Sequence, residues 1–164
     1  MPILSLLLAL LAPAHAGKLA QGILGQTWGP RSPFPAPGAN CIPNPEPLTR
    51  WGGCDQKVGD LKLLTAWAYG HGRLYGAVIR VRDYPTCAAL EQTLQAAWGP
   101  GKQTESYHPN GLARTEWADG DVLASMGPSM LPGVECEVVA VHLGYSAEVR
   151  AIEEQRAADR AAGI

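Results

Sequence analysis

The sequence has no run of about 20 consecutive apolar residues, the length a helix needs to cross a bilayer core, so no spanning segment is expected in it. It also lacks an excess of positive charge. Thirteen Lys and Arg against 15 Asp and Glu give a formal net charge of −2, unlike the basic surface with which nucleic-acid binders meet phosphates. Cysteine and histidine pairs two to four residues apart are missing, as is His-x-x-x-His. Such spacings bring two ligands onto one face, so no metal and no cofactor is expected. There is no Gly-x-Ser-x-Gly elbow. The stretch "GPGKQT", 99–104, has neither the spacing nor the following helix of a phosphate loop.

What is present begins with "MPILSLLLALLAPAHAG". An apolar run from Ile3 to Leu11 precedes the helix-breaking Pro13 and the small triplet Ala14-His15-Ala16. That is the layout of a signal peptide, residues 1–16, although no Lys or Arg precedes the run. A periplasmic or secreted protein is therefore expected, with no lasting membrane insertion of the 148 residues that remain. All four cysteines, Cys41, Cys54, Cys87 and Cys136, lie in that remainder. In an oxidising compartment an even count reads as two disulfides.

From Gly29 to Pro47 the chain carries seven of its 14 prolines. Missing donors and fixed φ predict extended coil, and Cys41 inside it predicts that residues 17–60 are strapped to the domain surface. Residues 61–145 are expected to form the core domain. In "LKLLTAWAY", Leu61, Leu63, Trp67 and Tyr69 share a face with Thr65; in "RLYGAVIRVR", Tyr75, Ala77, Ile79 and Val81 alternate with the other face. The intervening "GHG" predicts a tight hairpin in which Gly70 and Gly72 supply positive φ and a solvated His71 rides the tip.

Next, Cys87, Leu90, Leu94 and Ala97 recur at helical spacing. Asp83 or Thr86 can cap that helix, Pro85 suits its first turn, and Gly99-Pro100 stops it. Asp119-Gly120 predicts a second hairpin, and Val134–Leu143 a last strand with Cys136 facing the core. The tail 146–164 reads as a helix with one docked turn, at Val149 and Ile152, and a frayed end. The expected fold class is α+β: an antiparallel sheet of about five strands in ββαβββ order, covered on one side by one helix, with a C-terminal helix after it. Bonding Cys87 to Cys136 would tie helix to sheet, leaving Cys41 for Cys54, one choice among three pairings.

Candidate chemistry is sparse. His71 and His108 are the residues a small exported hydrolase or metal-dependent enzyme would use, but neither has a fixed partner in the sequence, and His142 stands apart near a strand end. The acid pairs Glu135 with Glu137, Asp119 with Asp121, and Glu153 with Glu154 read as solvent-facing. Trp28 and Trp51, in Gly/Pro-rich coil, could line a groove for a peptide or glycan. The expected activity is thus a non-catalytic binding or interaction module of the cell envelope, its partner a protein, peptide or glycan.

Together, "ILGQTWG", "HGRLYGAVIRV", "LQAAWGPG" and "TEWADGDV" resemble a loose pattern in small uncharacterised exported proteins of Gram-negative bacteria, over about residues 22–125. The resemblance implies a ββαββ periplasmic domain without a known activity, and it carries no catalytic residues over. His71 replaces the more usual acidic residue, and the four cysteines are not part of that pattern.

Overall fold

A computed structural model describes residues 18–30, 40–41, 51–104 and 113–163, of which 40–41 and 51–53 by their backbone only. The leader 1–16, most of the Pro-rich stretch, His108 and the Trp51 side chain lie outside the described residues.

The elements in chain order are α1 (Lys18–Gln21), β1 (Gly22–Ile23), β2 (Gln26–Thr27), β3 (Asn40–Cys41), β4 (Trp51–Val58), β5 (Leu61–Gly70), β6 (Arg73–Val81), α2 (Tyr84–Trp98), β7 (Lys102–Thr104), β8 (Arg114–Asp119), β9 (Val122–Pro128), β10 (Cys136–His142) and α3 (Leu143–Ala162). The fold is α+β, as the sequence predicts. The sheet is larger than expected: instead of about five strands it has the order β3-β4-β5-β6-β10-β9-β8-β7, all antiparallel, with a separate two-stranded β1-β2 ribbon. The count rises because Trp51–Val58, read from the sequence as coil, pairs along its whole length with β5, while two- and three-residue edge strands are added at either end. Two meanders, β3 to β6 and β7 to β10, are thereby joined edge to edge through β6 and β10. That seam is long-range, from Cys136↔Val81 to Val141↔Gly76.

The predicted β5–β6 hairpin forms, with a change of detail at its tip. Positive φ falls on His71 (49°) and Gly72 (75°), the two central residues of a tight reversal matched to strand twist. Gly70 is not among the positive-φ residues. Its reason is space: a Cβ there would lie 2.4 Å from Val149 Cγ1. A register shift beside Ala68/Tyr69 leaves Tyr75 as the extra residue on β6, and a bulge of this kind reverses parity along its strand. Leu74, not Tyr75, therefore joins Ala77, Ile79 and Val81 in the core. In the second hairpin Asp119 pairs with Val122, so the loop is Gly120-Asp121 rather than Asp119-Gly120.

α2 starts at Tyr84, which makes Asp83 rather than Thr86 its cap. The Thr86 amide donates to Asp83 Oδ1 at 2.8 Å, which holds the Asp83 carboxyl below its usual range, and Gly99 ends the helix. Its Cys87, Leu90 and Leu94 pack on the sheet face of Leu63, Trp67, Ile79 and Val138, and Cys87 is bonded to Cys136 across a sequence separation of 49. Thr115 Oγ1 donates to Glu91 Oε1 (3.0 Å) and accepts from Gln103 Nε2 (2.7 Å). At the helix end Trp117 Nε1 donates to Gly99 O at 2.8 Å, and Trp98 stands edge-on to Trp117.

The segment 18–30 is folded into this core rather than merely strapped to it, since Leu19, Ile23 and Trp28 are all buried there. Fully burying side chains of this size contributes roughly 1.5–3 kcal/mol each. The other sheet face is covered too, at one end. α3 starts at Leu143, earlier than residue 146, with His142 as its cap, and runs to Ala162 with Gly163 as its left-handed C-cap. By strand alternation Gly70 and Arg73 point away from Trp67 and Leu74, so Val149 against Gly70 and Glu148 against Arg73 (2.9 Å) put α3 opposite α2.

Candidate functional site

Trp28 is only 5% exposed and its indole Nε1 donates to Leu19 O at 2.9 Å, so it is placed in the core rather than in an open groove. Its ring meets His142 edge-on, and His142 in turn stacks on Tyr145 with centroids 4.2 Å apart while its Nδ1 caps α3 by accepting from the Tyr145 amide. This histidine holds a strand-to-helix corner.

His71 is not solvated as expected. Its side chain is 11% exposed, tucked under α3, with Nε2 3.9 Å from Glu153 Oε1. Nε2 itself is buried and has no hydrogen-bond partner among the described residues. Glu153, the carboxylate that sequence reasoning paired with Glu154, also stands near Tyr75, whose phenol is pushed above its ordinary value, first by burial and then by that charge. Among the described residues there is no group of three or more His, Cys, Asp or Glu able to hold a metal ion.

Of the four cysteines, Cys87 and Cys136 are brought together as the sequence suggests. Cys54 is buried and disulfide-bonded, and the backbone register sets Cys41 directly opposite it. No helix among the described residues is long and apolar enough to cross a membrane.

The features that sequence reasoning missed lie on the sheet face that α3 leaves largely uncovered by described elements. Cross-strand register builds it row by row. One row runs Lys57↔Lys62; the next Asp55↔Leu64↔Arg80↔Glu137; the third Ala66↔Val78↔Val139↔Ser125; the fourth Ala68↔Gly76↔Val141↔Leu123. At the polar end a cleft of about 530 Å³ is bounded by Asp55, Lys57, Lys62, Arg80, Arg82 and Asp83. At the apolar end a concavity of about 370 Å³ is floored by Leu123, Val139 and Val141 and rimmed by Lys102 and Glu116. Leu123 is 43% exposed.

A signal for the polar end is present in "KVGDLK", 57–62. Gly-Asp is one of the dipeptides of two-residue loops, and such a loop places the flanking lysines opposite each other. The glutamate pair Glu135 and Glu137 is separated by the structure: Glu137 pairs with Arg80 at 3.9 Å, while Glu135 stays exposed beside α2.

Set against protein-family models, curated proteins and solved structures, the chain matches none of them.

Proposed function

We infer that this chain is an exported, disulfide-stabilised, non-catalytic binding module of the cell envelope, and that it binds through the sheet face opposite α2. The observation that carries this reading is the graded surface on that face, basic at Lys57, Lys62, Arg80 and Arg82 and apolar at Leu123, Val139 and Val141. Three cations without an ion pair among the described residues, Lys57, Lys62 and Arg82, next to half-buried aliphatic side chains make a surface of the kind a recognition site presents. Export is supported by the leader pattern and by the Cys87–Cys136 bond, since disulfides persist in oxidising compartments. We assign the second bond to Cys41 and Cys54 on their facing positions in the ladder.

Expression of the full chain in a Gram-negative host tests both halves of the reading. Fractionation and intact mass are expected to find a mature form beginning at Gly17, outside the cytosol, with no free thiol. A leader-bearing cytosolic form with four free thiols refutes export. A photo-crosslinking amino acid placed at Leu123 is expected to give adducts in cells, while one at the exposed Arg156 of α3 gives none. Absence of adducts at Leu123 refutes the binding face.

A further inference from the structure

We propose that the cleft between β4, β5 and β6 binds the phosphate headgroup of an anionic lipid, whose apolar part lies along the adjoining strip of Val139, Val141 and Leu123. This rests on the reading of that face as a binding surface and adds the chemistry of what it binds.

Lys57 and Lys62 stand directly opposite each other on neighbouring strands, an arrangement that is unfavourable for like charges. Neither of them, nor Arg82, forms an ion pair among the described residues. One row further, Arg80 has its Nε shielded from solvent without a hydrogen-bond partner among the described residues, with Glu137 Oε2 3.9 Å away. The carboxylates present are Asp55 and Asp83 on the rim and Glu137 behind Arg80; Asp83 keeps its charge while accepting from the Thr86 amide, so four cations stand against three carboxylates and the excess lies at the unpaired lysines. A phosphate brought into this cleft relieves the Lys57–Lys62 repulsion and offers oxygens to a planar guanidinium.

The neighbouring rows distinguish a lipid from a free phosphate. Two residues along a strand span roughly 7 Å, so the row of Val78 and Val139 begins one such step from Arg80. The row of Val141 and Leu123 lies one step beyond it. Polar head and apolar chain are thus met in the order in which a lipid carries them. The chain as a whole bears a formal charge of −2 and is repelled by an anionic membrane, so the attraction must come from this patch and weaken with salt.

The test is flotation of the disulfide-bonded chain with phosphatidylglycerol vesicles and with phosphatidylcholine vesicles. Binding to the first alone is expected. Lys57→Glu/Lys62→Glu, two exposed positions whose variant should melt as the parent does, is expected to weaken binding by about tenfold or more, since each basic residue near an anionic surface is worth roughly a factor of five. Leu123→Ser is expected to weaken it by roughly a factor of two to five through lost apolar contact. Equal binding to both vesicles, no binding to either, or full binding by the lysine variant overturns the proposal. So does displacement by millimolar inorganic phosphate together with an unaffected Leu123→Ser, which would make the ligand a soluble phosphate. Capture of soluble poly-glutamate in place of vesicles overturns it in favour of an acidic peptide; the binding face itself then stands, because only missing crosslinks at Leu123 remove it.

Discussion

Val149 of α3 rests directly on the backbone of Gly70, so closely that a single added methyl group at Gly70 would overlap its side chain at 2.4 Å. Val149 is the one fully buried residue of the twenty in that helix. The docking of α3 on the hairpin therefore turns on this contact, with the Arg73–Glu148 ion pair at its side.

Gly70→Ala is expected to destabilise the protein by about 1–3 kcal/mol, the usual range for overpacking, and to speed hydrogen exchange of the α3 amides first. The same substitution in a Val149→Ala background should cost much less, because the smaller side chain leaves room. A double-mutant cycle from urea melts reads the coupling; additive effects would show that α3 is held elsewhere.

Reduction of the bond between Cys87 and Cys136, or its replacement by two alanines, reopens a loop with a sequence separation of 49. Chain entropy alone puts the loss at about 4 kcal/mol. Melting of the Cys87→Ala/Cys136→Ala variant beside the parent checks this, and an unchanged midpoint would mean that α2 is pinned by Leu90 and Leu94 without the bond.

Two buried tryptophans should respond differently to the same change. Trp117 Nε1 donates to Gly99 O, whereas Trp67 Nε1 is buried with no hydrogen-bond partner among the described residues. Trp117→Phe loses a hydrogen bond worth about 1 kcal/mol and leaves a carbonyl unpaired, while Trp67→Phe removes a donor that was already unsatisfied. Trp67→Phe is therefore expected to be the milder of the two in denaturant melts, although both lose ring contacts.

Alkaline stability should carry the mark of Tyr75. Its phenol is held above the usual value of 10.0 by burial and by Glu153, so the fold favours the neutral form. That contribution is complete below the unfolded value and is lost as pH rises through the folded one. The parent should lose stability above about pH 10 more steeply than Tyr75→Phe. Identical alkaline limbs for the two proteins would contradict the assignment.

The chain by itself determined what is local. Asp83, Pro85 and Gly99 bound α2 because caps and stops act within a turn of the helix they limit; Leu63, Thr65 and Trp67 declare a strand because alternation is written residue by residue; His71-Gly72 reverse it because a tight loop needs few neighbours. The sequence offered the pairing of Cys87 with Cys136 as one choice among three, and the tertiary structure made that choice. Tertiary structure decided the rest. That β10 enters between β6 and β9, that β4 is a strand, and that α3 covers one end of the face opposite α2 all depend on contacts between segments far apart in sequence. Whether His71 meets water or Glu153 depends on a helix more than seventy residues later. Lys57, Lys62 and Arg80 become one cleft only through that same register. A side chain's neighbours across a sheet are fixed by the summed fit of whole strands, and no single stretch of the chain contains that sum.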